Sequence, residues 1–128
     1  MPVATDRRSG RDRRSSGMLR VPFVRACSLL VVGQSRSAMI VNINVLGAYL
    51  ASDEIPDVGT DVAIAFQVPG NEIETEIRGQ VAWINPVQQH LVHSLPPGFG
   101  MRFVGLEDAA RARIEVIVGE YALRQQQP

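Results

Sequence analysis

Arginine is the residue type in this sequence with the most chemistry to offer. All 13 basic residues are arginine and none is lysine. A planar guanidinium holds phosphate in bidentate fashion and stacks on flat rings, which an ammonium group does less well. Genome base bias can also empty a sequence of lysine, so the count alone decides nothing. Its distribution says more. Seven arginines fall within residues 1–25 against Asp6 and Asp12, a local balance of +5. Residues 26–128 hold six arginines against eleven acids, so a formal net charge of zero conceals a basic arm ahead of an acidic domain. An anionic partner near the N-terminus is the function class this suggests.

The second chemical candidate is Asn42-Ile43-Asn44-Val45-Leu46-Gly47. Residues two apart in a strand point the same way, so Asn42 and Asn44 are expected to project from one face. Each carboxamide offers donors and an acceptor, and Gly47 permits backbone conformations that other residues resist. Beside an arginine arm, such a pair could read the edge of a nucleobase while guanidinium groups hold phosphate. The plainer reading is that both asparagines satisfy backbone groups at a turn, and spacing alone favours it.

Other reactive groups carry less. His90 and His93 lie three apart in a loop with no Asp, Glu or Cys nearby to complete a metal site. Cys27, the single cysteine, sits in an apolar stretch and reads as a buried, inert thiol. Glu72, Glu74 and Glu76 share one face of a strand, as a solvated edge does. No nucleophile elbow, Walker A loop or dinucleotide fingerprint is present, so an enzyme is not expected and no cofactor or metal is implied.

The elements that must position these groups follow from periodicity. Residues 1–18 are polar, contain Gly and Ser, and read as a flexible arginine-rich arm. Residues 21–33 suit one or two short strands, Ser35 to Ser37 a turn, and 38–43 a further strand. Val45 to Leu50 reads as the next strand and 55–59 as a loop. Val62, Ile64, Phe66 and Val68 then alternate as a half-buried strand. Pro69-Gly70-Asn71 makes a hairpin turn. In the returning strand Ile73, Thr75, Ile77, Gly79, Val81 and Trp83 share the inner face, with a bend placed at Gly79. Residues 85–98 form a long loop and 99–104 a last strand. Tyr49, Trp83 and Phe103 are all explicable as core. Ala110, Ile114, Ile117, Val118 and Tyr121 follow helical spacing, with Glu107 and Asp108 at the positive pole and Arg124 at the other. The sum is an all-β, small antiparallel barrel at 19–124, with a C-terminal helix over about 107–124 and a tail at 125–128. No apolar run approaches the roughly 20 residues of a spanning helix, so no membrane insertion and a cytoplasmic location are expected.

Arg20-Val21-Pro22, followed by Asn42-x-Asn44-x-x-Gly47, resembles the PilZ domain family. The resemblance continues in Gly79-Gln80-Val81-Ala82-Trp83-Ile84, in Pro97-Gly98-Phe99-Gly100-Met101-Arg102-Phe103 and in the closing helix, about residues 13–121 in all. It implies a six-stranded, split-barrel-type fold in a bacterial receptor for the second messenger cyclic di-GMP. It also implies a ligand wrapped by an Arg-x-x-x-Arg motif and read by an Asp/Asn-x-Ser-x-x-Gly motif. Arg20 matches the second arginine, but Ser16 stands where the first belongs, with Arg13, Arg14 and Arg11 close enough to substitute. Asn42 and Gly47 match the second motif, and Asn44 replaces its serine. Arg13, Arg14, Arg20, Asn42, Asn44 and Gly47 are thus the expected ligand residues. The implied function is non-catalytic: the arm reorders on binding and signals to a protein effector in motility, biofilm or exopolysaccharide control. The alternative is a PilZ-like interaction module that no longer binds the dinucleotide. A nucleic-acid polymer is disfavoured because aromatics are only 5% of the chain and offer no evident stacking platform.

Overall fold

Among the described residues the alternating apolar pattern organises itself into six strands and one helix. They are β1 (Val21–Val31), β2 (Gln34–Ile43), β3 (Gly47–Ala51), β4 (Asp61–Gln67), β5 (Glu74–Asn85), β6 (Gly98–Phe103) and α1 (Asp108–Gln125). The structure, a computed structural model, describes residues 20–68, 70, 73–86 and 95–126. The arm with Arg7, Arg11, Arg13 and Arg14, the hairpin residues Pro69 and Asn71, and His90 and His93 lie outside the described residues.

All strand pairs are antiparallel and close a barrel in the order β1-β2-β3-β6-β5-β4. Closure removes the open sheet edges that would otherwise invite pairing with another chain. Inside stand Leu29, Ile40, Ile43, Leu50, Ile64 and Phe99, each with 1% or less of its surface exposed. Each such side chain contributes roughly 1.5–3 kcal/mol by leaving water. The helix packs Ala110, Ile114 and Ile117 onto this core and touches β1 and β5. Asp108 lies in its first turn and Arg124 in its last, the charge order that complements the helix dipole.

The departures from expectation are local and have physical causes. The β1–β2 turn falls at Val32-Gly33, not at Ser35–Ser37, because both of its residues take positive φ (48° and 78°) as a two-residue hairpin requires. Ser35 and Ser37 instead face outward from β2. The third strand starts at Gly47, the residues before it being a turn. In β5 the register breaks between Val81 and Trp83 and not at Gly79. That break turns Trp83 away from the core: Tyr49 and Phe103 are buried as expected, but Trp83 is 40% exposed. Ile73 precedes β5 and is exposed also.

Candidate functional site

Registry across the barrel places one line of residues side by side on the outer wall. Pro22 of β1 faces Asn42 of β2, which faces Tyr49 of β3, then Gly100 of β6 and Trp83 of β5. Their in-line neighbours Ile43, Ala48 and Met101 belong to the core, so this row looks outward. At about 4.8 Å per strand, the row spans roughly 19 Å.

Trp83 closes the row at one end. Its indole stacks on the Tyr49 ring, centroids 5.2 Å apart at 29°. A Cβ at Gly100 would collide with that indole, so the glycine is what lets the ring lie against β6. Tyr49 is held in turn: its hydroxyl donates to Pro96 O and accepts from Asn85 Nδ2 at 3.1 Å. Burial raises the Tyr49 pKa, and the Asn85 hydrogen bond partly offsets that. An exposed indole backed by a fixed phenol is a rigid surface for a flat ring.

Asn42 sits second in the row, its carboxamide oxygen buried and without a hydrogen-bond partner among the described residues. The facing residue on β1 is Pro22, which has no N–H to give. The register also shifts beside both residues, between Pro22 and Arg25 and between Ile40 and Asn42, loosening the ladder there. An unmet buried acceptor costs roughly 1–3 kcal/mol.

Asn44 behaves otherwise, and the expectation that both asparagines project together fails. It lies past the end of β2, 3% exposed. Its oxygen accepts from Leu46 N at 2.8 Å and Gly47 N at 3.0 Å, while its own N–H donates to Gly47 O at 2.9 Å. The plainer reading of a turn-forming asparagine holds for Asn44 and not for Asn42.

Arg20 enters from the start of β1. Its Nη2 lies 3.2 Å from where a Cβ on Gly47 would stand, so any larger residue there would press on the guanidinium. Burial lowers the Arg20 pKa by desolvation, yet the group remains cationic at neutral pH. It has no ion-pair partner among the described residues. Arg102 and Gln80 continue the line from Gly47: Arg102 pairs in register with both and donates to Gln80 Oε1 at 2.7 Å. Trp83 and Arg102 were not singled out from sequence. The signal for Trp83 was its apparent inward parity, which the break in β5 reverses.

Elsewhere the chemistry is quiet. Cys27 is buried, which pushes its thiol up to about 11. Among the described residues no three His, Cys, Asp or Glu side chains gather as metal ligands. No helix among them is long and apolar enough to cross a membrane.

A half-buried cation, an unmet acceptor and an open aromatic face on one wall suit a binding domain for an anion that carries a flat, hydrogen-bonding ring. Comparison with known proteins gives the class a family. The PilZ domain model matches residues 6–120, and the chain belongs to the PilZ domain family. Domains of this family are cyclic di-GMP receptors and not enzymes. One similar solved structure is the crystal structure of the PilZ domain of CeSA from a cellulose-synthesising bacterium. It shares 9% identity at a TM-score of 0.55, covering 81% of this chain and 98% of that one. No curated protein matches the chain.

Proposed function

We propose that this domain binds cyclic di-GMP on its outer wall, between Arg20 and Trp83, and relays the binding through its N-terminal arm. The observation that carries the reading is the unmet oxygen of Asn42. It is an acceptor that lacks a donor among the described residues, and an outward turn of the half-buried Asn42 carboxamide on binding would bring it to the N–H groups of a guanine edge, donors of the right kind. Arg20, with Gly47 kept small beneath it, holds phosphate by a charge-assisted contact. Trp83 offers the guanine a stacking face, and Arg102 lies two strands from Asn42 to meet a second phosphate. Asn44 acts by shaping the turn that carries Gly47. Arg13 and Arg14 supply the further guanidinium contacts that Ser16 cannot. Ordering of the arm over the barrel then presents a new surface to an effector protein in motility, biofilm or exopolysaccharide control.

The commitment of Asn44 to its turn favours a second reading, a PilZ-like interaction module that has given up the ligand. Calorimetry separates the two. The receptor predicts binding heat at tens of micromolar cyclic di-GMP, weakening with salt, and a roughly 10- to 100-fold loss in Arg20→Ala. No heat from the wild type at low salt would leave the interaction module standing.

A further inference from the structure

We propose that the groove between β5 and the first turns of α1 is the docking site for the chain's own arginine segment, residues 7–14, when no ligand is bound. The groove is about 750 Å³ in volume and lies on a different part of the barrel from the Asn42–Trp83 row. Among the described residues four carboxylates line it: Asp61 from β4, Glu74 and Glu76 from β5, and Glu107 at the head of the helix. Asp61 accepts a hydrogen bond from Gln80 Nε2 at 3.0 Å. Glu74, Glu76 and Glu107 have no ion-pair partner among the described residues, where Arg36–Glu54 is such a pair. Two cations also face the groove, Arg78 on β5 and Arg113 on α1. Arg113 is engaged within the groove, its Nη1 donating to Thr75 Oγ1 at 3.2 Å, so two guanidinium groups stand against four carboxylates. The wall therefore keeps a net negative charge without neutralising itself.

The occupant is identified by charge and reach. Residues 7–14 carry five arginines against Asp12. The described chain begins at Arg20, whose guanidinium lies over Gly47, and Gln80 on the groove's rim is two strands away along the Gly47–Arg102–Gln80 line. That is roughly 10 Å. Six residues separate Arg14 from Arg20, an extended reach of about 20 Å, and Arg7 reaches about twice as far. The arm is long enough for its arginines to enter the groove from the barrel wall while Arg20 stays in place. A basic segment of another protein would meet the same charges, but the tethered arm has the higher effective concentration.

A nitroxide on Ser9→Cys tests this in the full chain without ligand, because buried Cys27 stays unlabelled at neutral pH. Docking predicts broadened amide signals at Glu74–Glu76 and at Ala109–Ala110. The broadening should be lost in about 0.5 M salt and in E74Q/E76Q, whose exposed side chains leave the fold intact. No broadening at those amides, or broadening that survives both treatments, overturns the proposal. One consequence rests on the receptor reading: an arm freed from the groove is available to the phosphates, so E74Q/E76Q should bind cyclic di-GMP about three- to tenfold more tightly. Equal affinity would overturn that competition. Absence of binding in both proteins would overturn the receptor reading and leave the groove to be decided by the nitroxide.

Discussion

Replacing Asn42 with leucine should stabilise the ligand-free barrel and weaken cyclic di-GMP binding together. Most ligand-contacting polar residues are satisfied in the free protein, so their removal costs stability or leaves it unchanged. Asn42 differs because its oxygen is buried and finds no hydrogen-bond partner among the described residues, while the residue opposite it in the ladder, Pro22, has no N–H to give. The desolvation of that oxygen costs roughly 1–3 kcal/mol. Leucine keeps the branching at Cγ and carries no polar atom. The larger side chain returns some of the gain as strain, of order 1 kcal/mol at a half-buried position. The net expectation is about 1 kcal/mol of added stability, which raises Tm by roughly 2–6 °C in a domain of this size. Loss of the hydrogen bond to guanine weakens binding by about 1–3 kcal/mol, or roughly 5- to 150-fold in Kd. Scanning calorimetry on the free protein reads the first effect and titration calorimetry the second. A variant that melts lower than the wild type and binds the dinucleotide equally well would refute the argument on both counts.

Trp83 is the only tryptophan, so its fluorescence should change on adding cyclic di-GMP, and Trp83→Ala should weaken binding by about 1–3 kcal/mol. Val32 holds φ of 48° at an exposed hairpin tip, where a β-branched residue is strained. Val32→Asn should therefore raise the urea midpoint by the equivalent of about 0.5–1 kcal/mol without altering the m value. Cys27 is raised from 9.0 to about 11 by burial, so folding favours its protonated form. Its contribution is complete below pH 9 and is lost as pH rises through 11. Alkaline unfolding curves of the wild type should fall more steeply over that window than those of Cys27→Ala.

The barrel was legible because its inner face alternates without interruption. Val62, Ile64 and Phe66 declare one strand, and Thr75, Ile77 and Val81 declare its partner. The helix was legible because Ala110, Ile114 and Ile117 change the period. Two kinds of feature escaped. A hairpin turn depends on which residues can hold positive φ, and Val32 is a poor advertisement for one beside three polar residues at 35–37. A register break is invisible to parity counting, so Trp83 looked inward when its strand in fact turns it out. The paired asparagines were ambiguous for a different reason. Identical side chains two residues apart differ only in where the strand ends, and β2 stops between them.

The same break that hid Trp83 explains how the proposed binding wall can be set on this barrel with little consequence for folding. Strand pairing fixes the inner face tightly, because a slip of one residue would turn Ile43, Ala48 and Met101 outward together. The outer face carries no such requirement. It therefore tolerates, among the described residues, an unmet acceptor at Asn42, a cation without an ion pair at Arg20 and an open indole at Trp83, each a local cost that the buried core outweighs. A likeness of fold at 9% identity to the PilZ domain of CeSA fits that division, since what must be kept is the inward pattern and not particular outward residues.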